Sequence, residues 1–79
     1  MQAITSTYLN KGIFVGKVND LGNGLFTLEN KDGTVISVQP DGSIQSRSNG
    51  TAGAYEQCTI TGNLALYAGA GTPYFFGVL

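Results

Sequence analysis

Short apolar-rich runs along this chain alternate with breaks that carry Gly, Asn or Asp. Inside most runs the apolar residues fall at every second position, the period of a half-buried β-strand; no run keeps the 3.6-residue spacing of a stable helix. The pattern predicts strands over residues 3–9, 13–18, 25–29, 34–39, 43–47, 55–61, 64–68 and 74–79. Within them Ile4 and Tyr8 share a face, as do Ile13 and Val15, Phe26 and Leu28, Ile36 and Val38, Cys58 and Ile60, and Leu64 and Leu66. Phe14 and Val18 fall on the side opposite Ile13 and Val15, and Ile44 is the apolar contribution of its run. The runs are rich in Thr, Val, Ile, Tyr and Phe, which suit a pleated surface.

The breaks specify how the strands are joined. Asn23-Gly24, Asp32-Gly33, Asp41-Gly42, Asn49-Gly50 and Gly62-Asn63 are pairs in which positive φ costs little, and at short intervals they punctuate hairpins. The expectation is a single all-β domain over residues 1–79, a small antiparallel β-barrel of hairpins.

One run breaks the alternation. Residues 74–79 are apolar on both faces, with Tyr74, Phe76 and Val78 on one and Phe75 and Leu79 on the other. Such a strand is covered on both sides, or it is an adhesive surface. Ile13-Phe14-Val15 poses the same question. The candidate protein interface is therefore Tyr74, Phe75, Phe76, Val78 and Leu79, with Phe14 beside them.

Composition sharpens that reading. A chain of 79 residues buries only about 60% of its unfolded surface, so its core is thin. Cys58 is the single cysteine and there is no His, which removes an internal disulfide and argues against zinc. Oligomerisation or docking on a larger partner is the support left open. Lys11, Lys17, Lys31 and Arg47 stand against five acids for a net charge of −1. Four scattered cations make no phosphate-tracking stripe, so nucleic acid is not an expected partner. Residues 1–7 show no basic or apolar signal segment, and no apolar run is long enough for a bilayer-spanning helix, so no membrane is expected.

Catalytic chemistry finds few residues to use. Without His, neutral-pH acid–base catalysis loses its commonest agent. Cys58 alternates with Ile60 and reads as a small buried hydrophobe. Asp20, Asp32 and Asp41 sit in turns, where Asp bonds its own backbone; with Glu29 and Glu56 they are the carboxylates a hydrolase would need as a pair. Asp20-Leu21-Gly22-Asn23-Gly24 lacks the spaced oxygens of a calcium loop, and no cofactor is expected. Tyr8, Tyr55, Tyr67 and Tyr74 are candidates for stacking on sugars.

Residues 33–60 carry a more particular pattern. Gly33 precedes a β run; Val38, Asp41-Gly42 in the turn, Ile44 and Arg47 follow; then Gly53, Tyr55-Glu56, and the alternating Cys58 and Ile60. This stretch resembles one repeat of the fascin-like β-trefoil family. The resemblance implies that Gly53-Ala54-Tyr55-Glu56 fixes the loop leading into the repeat's last strand. A full trefoil has three four-stranded repeats, and its hallmark aromatic is usually Trp where this chain has Tyr55. The implied architecture is trefoil-like: an incomplete trefoil completed by oligomerisation, or a simpler barrel of similar hairpins.

Taken together, these features lead to a non-enzymatic structural protein that works in an assembly. Its composition is similar to that of small bacteriophage virion accessories: capsid decoration or cement proteins and fibre-associated parts. The expected partners are further copies of itself, as a homo-oligomer, or a larger assembly such as a capsid shell; the expected location is the virion, and otherwise the cytoplasm. The alternative is a carbohydrate-binding module using an exposed Tyr in the loop 48–55, with a glycan as ligand.

Overall fold

The computed structural model describes residues 9–69 and 73–78. They form eight strands: β1 (Leu9–Phe14), β2 (Lys17–Gly22), β3 (Leu25–Glu29), β4 (Val35–Val38), β5 (Ile44–Arg47), β6 (Thr59–Thr61), β7 (Leu64–Tyr67) and β8 (Tyr74–Val78). The expected strand 3–9 lies outside the described residues apart from its last position.

The turn chemistry places the hairpins. Asn23 and Gly24 both take positive φ, 55° and 77°, in a two-residue loop between the paired Gly22 and Leu25. That is the turn whose twist matches its flanking strands. Asp20, Asp32 and Asp41 each accept, through Oδ1, the backbone N–H two residues on, at 2.8, 2.9 and 2.9 Å. These aspartates are spent on turn geometry.

Two four-stranded sheets result. The hairpin sheet is antiparallel in the order β2-β3-β4-β5; the terminal sheet runs β1-β8-β7-β6, with β1 and β8 parallel. The all-β class is as expected, but no closed barrel forms among the described residues. A parallel pair between strands from opposite ends of the chain is non-local, and turn signals encode only neighbours.

The expected strand 13–18 divides at Val15-Gly16, where the chain leaves the terminal sheet and enters the hairpin sheet. A Cβ on Gly16 would collide with the Glu29 carbonyl oxygen and the Phe14 ring, so this crossing requires glycine.

The sheets face each other across one core. Phe14, Leu28, Ile36, Val38, Cys58, Ala65, Tyr67 and Phe76 are buried in it, and Phe26, Ile60, Tyr74 and Val78 pack against it. Tyr67 and Phe76 meet edge to face, centroids 5.8 Å apart. Each large apolar side chain removed from water here contributes about 1.5–3 kcal/mol.

A splayed pair of strands joins the layers. β3 and β4 pair at Glu29 and Val35. Beyond that point the segment 55–58 enters between them: Val38 N–H donates to the Tyr55 carbonyl at 2.9 Å, and Phe26 and Cys58 exchange two backbone bonds of 2.8 Å. The chain then continues into β6, so one segment ties both strands to the terminal sheet.

Candidate functional site

The segment that closes the fork is held by a buried carboxylate. Glu56 is 5% exposed. Its Oε1 accepts from Gly53 N–H at 2.8 Å and its Oε2 from the Ser37 hydroxyl at 2.6 Å, while Gln39 Nε2 donates to Ser37 Oγ at 2.7 Å. Glu56 N–H returns a bond of 3.0 Å to the Gly53 carbonyl. Gly53-Ala54-Tyr55-Glu56 is thus a locked loop, and its conspicuous residues serve backbone geometry.

The remaining acids are dispersed. Donors from Thr34 hold the Asp32 carboxyl below its ordinary range, and donors from Ser43 do the same for Asp41. Glu29 accepts from Asn19 Nδ2 at 2.9 Å. Among the described residues no three His, Cys, Asp or Glu side chains gather as metal ligands would.

Cys58 is buried, and loss of hydration pushes its thiol up to about 11, with a smaller opposing effect from Tyr67. A neutral, enclosed thiol is a poor nucleophile. The Tyr67 hydroxyl is buried without a hydrogen-bond partner. Cys58 and a Leu28 backbone group flank it without completing a hydrogen bond, and burial raises its pKa far above the ordinary tyrosine range.

The apolar β8 residues divide between two faces. Phe14 and Phe76 belong to the core, each 6% exposed, so in this fold they are unavailable as interface residues. Tyr74 and Val78 are half-buried against that core. Tyr74 also meets Gly42 across the molecule, and Lys11 Nζ lies 5.1 Å from its ring centroid. Leu79 lies outside the described residues. Among the described members of the expected interface, Phe75, half-buried, is the one that points away from the core.

Register shows what surrounds it, since directly paired residues point to the same side of a sheet. One row across the terminal sheet reads Asn10, Phe75, Leu66, Thr59; the next reads Ile13, Gly77, Leu64, Thr61. None of these eight residues is charged. Ile13 leans over Gly77, where a Cβ would come within 2.7 Å of Ile13 Cδ1, and remains 64% exposed. Every described strand belongs to one of the two sheets, so among the described residues no strand lies over this face.

Leu64 and Leu66 share a face, as their alternation indicates, and that face is the outer one. The core instead takes Ala65 and Tyr67. A hydrophobicity pattern favours two leucines over one alanine; the edge-to-face seat of Tyr67 on Phe76 decides otherwise.

Beside the apolar face an open cleft of about 210 Å³ is lined by Leu25, Gln57, Cys58, Thr59, Leu66 and Ala68. Leu66 and Thr59 belong to both, so face and cleft are continuous. Gln57 is occupied, donating Nε2 to the Ala52 carbonyl at 2.8 Å. The cleft offers apolar walls and no charge, which suits an apolar side chain rather than an ion. Of the tyrosines, Tyr55 is exposed in the locked loop, Tyr67 is buried and Tyr74 is half-buried; Tyr8 lies outside the described residues.

No helix among the described residues is long and apolar enough to cross a membrane. No protein-family model, curated protein or solved structure matches the chain.

Proposed function

We propose that this protein is a non-enzymatic structural component that joins an assembly through the outer face of the terminal sheet. The observation that carries the reading is the uncharged face bearing Ile13, Leu64, Leu66 and Phe75, over which no strand lies among the described residues. Apolar sheet faces of this kind are covered by a neighbour in stable structures. Burial of Phe75 and the two leucines supplies the attraction, and the cleft beside Leu66 receives a partner's side chain.

The partners in this proposal are further copies of the chain or the shell of a larger particle. A small virion accessory, of the capsid decoration, cement or fibre-associated kind, meets these requirements: small size, little charge, no internal disulfide and an adhesive face. Barrel-like or trefoil-like closure belongs to the same proposal, the open sheet edges being completed by neighbouring molecules.

Light scattering on the purified protein tests it. The expected mass is a multiple of 8.2 kDa, reduced by Phe75→Lys with the β-rich circular dichroism spectrum retained. A chain that is monomeric at all concentrations, or a mass indifferent to Phe75→Lys, overturns self-assembly through this face.

A further inference from the structure

The hairpin sheet carries a second adhesive element. We propose that β2 pairs antiparallel with β2 of a second copy, with Val18 at the two-fold axis; this deepens the assembly reading and rests on it.

β2 is outermost in its sheet. It is bonded to β3 on one side, and among the described residues no strand pairs along the other. Five of its six residues are exposed. The open ladder of an edge strand is a template for another strand.

The side chains make that template self-complementary. Val15, Val18 and Leu21 are exposed at 55%, 42% and 42%. They are spaced symmetrically about Val18. A two-fold contact brings residue i to j and j to i. A two-fold axis normal to a sheet opposes one residue to its own copy, so centring it on Val18 sets Val18 against Val18 and Val15 against Leu21. The symmetric ladder is then centred on residues 17–19, since β2 begins at Lys17 and bulges between Asp20 and Gly22. Beyond it Val15 and Leu21 meet as side chains.

Charge selects the direction. Lys17 and Asp20 lie at opposite ends of the segment. Reversed pairing about Val18 sets Lys17 opposite the uncharged Asn19, whereas parallel pairing in the same register opposes Lys17 to Lys17 and Asp20 to Asp20. Val18 also pairs across the sheet with the fully buried Leu28 and therefore faces the core side. The Val18–Val18 contact carries the apolar layer from one molecule into the next.

Thiol cross-linking tests the register. Val18→Cys is expected to form a disulfide-linked dimer under mild oxidation. Ile44→Cys, on the opposite edge strand β5 and as exposed at 43%, is expected to stay monomeric on a denaturing gel; native Cys58 is buried in both. Val18→Lys, folded by circular dichroism, is expected to lose the edge contact and fall in mass. A Val18→Cys chain that stays uncross-linked, or cross-links no faster than Ile44→Cys, overturns the proposal. So does a mixture of the two variants that yields chiefly the mixed dimer, which indicates head-to-tail β2–β5 pairing. Failure at Val18 with the wild-type mass still above 8.2 kDa removes the edge contact alone; a monomeric wild type removes the assembly reading as well.

Discussion

The Ser37 hydroxyl donates to Glu56 Oε2 at 2.6 Å, tying the middle of β4 to a loop residue nineteen positions further along the chain. Both groups are buried. The bond secures the segment that enters between β3 and β4, and so holds the two sheets in their relative places. Ser37→Ala leaves one carboxylate oxygen buried without its donor. A hydrogen bond to such a group is worth about 1.5–3 kcal/mol, and urea unfolding of the variant is expected to show a loss of that size. An unchanged midpoint contradicts the role given to Ser37.

Gly16 is the second structural test. Ala at this position brings a methyl group into the Glu29 carbonyl oxygen and the Phe14 ring. Neither yields cheaply, one being backbone of a paired strand and the other a core side chain. Overpacking of this kind costs about 1–3 kcal/mol, measurable as a lower thermal midpoint.

Tyr67→Phe is expected to act in the opposite direction. The hydroxyl it removes is buried without a partner, and an unsatisfied buried polar group costs about 1–3 kcal/mol. The ring and its contact with Phe76 remain. Chemical denaturation is expected to find the variant as stable as the wild type or more so; a marked loss would show that the hydroxyl has a partner in solution.

Alkaline pH is expected to weaken the fold through Cys58. Burial raises its thiol from an ordinary 9.0 to about 11. Between those values the unfolded chain has released the proton and the folded chain retains it, so stability falls as pH rises through that window, by up to about 1.4 kcal/mol per pH unit. Tyr67, also raised, acts in the same direction above its ordinary 10.0. Denaturation at pH 8, 9 and 10 checks the slope, and Cys58→Ala is expected to flatten its lower part. A thiol-specific reagent at pH 8 is expected to label Cys58 only after unfolding.

The sequence was most legible where the signals were local. Leu25–Glu29 is a strand in the bounds its alternation indicated, β4, β5 and β7 differ from expectation only at their ends, and β8 takes in every described residue of the expected run 74–79. The Asn and Asp turns formed because they depend on a few adjacent residues. Non-local features were hidden. Nothing in residues 13–18 marks Gly16 as a change of sheet, since the reason lies in Phe14 and Glu29. Only three residues of the run 55–61 became strand, because its first part is drawn into the gap between β3 and β4. The doubly apolar character of residues 74–79 was visible from the start. Its companions on the outer face, Ile13, Leu64 and Leu66, required the strand order.

The claim that matters most is that Phe75 and Leu66 are covered when the protein is at work. Hydroxyl-radical footprinting at increasing protein concentration tests this at the residues themselves. Modification of Phe75 and Leu66 is expected to fall as concentration rises, while the exposed Tyr55 of the locked loop stays equally reactive. Reactivity of Phe75 and Leu66 that is independent of concentration would contradict self-assembly through the terminal face.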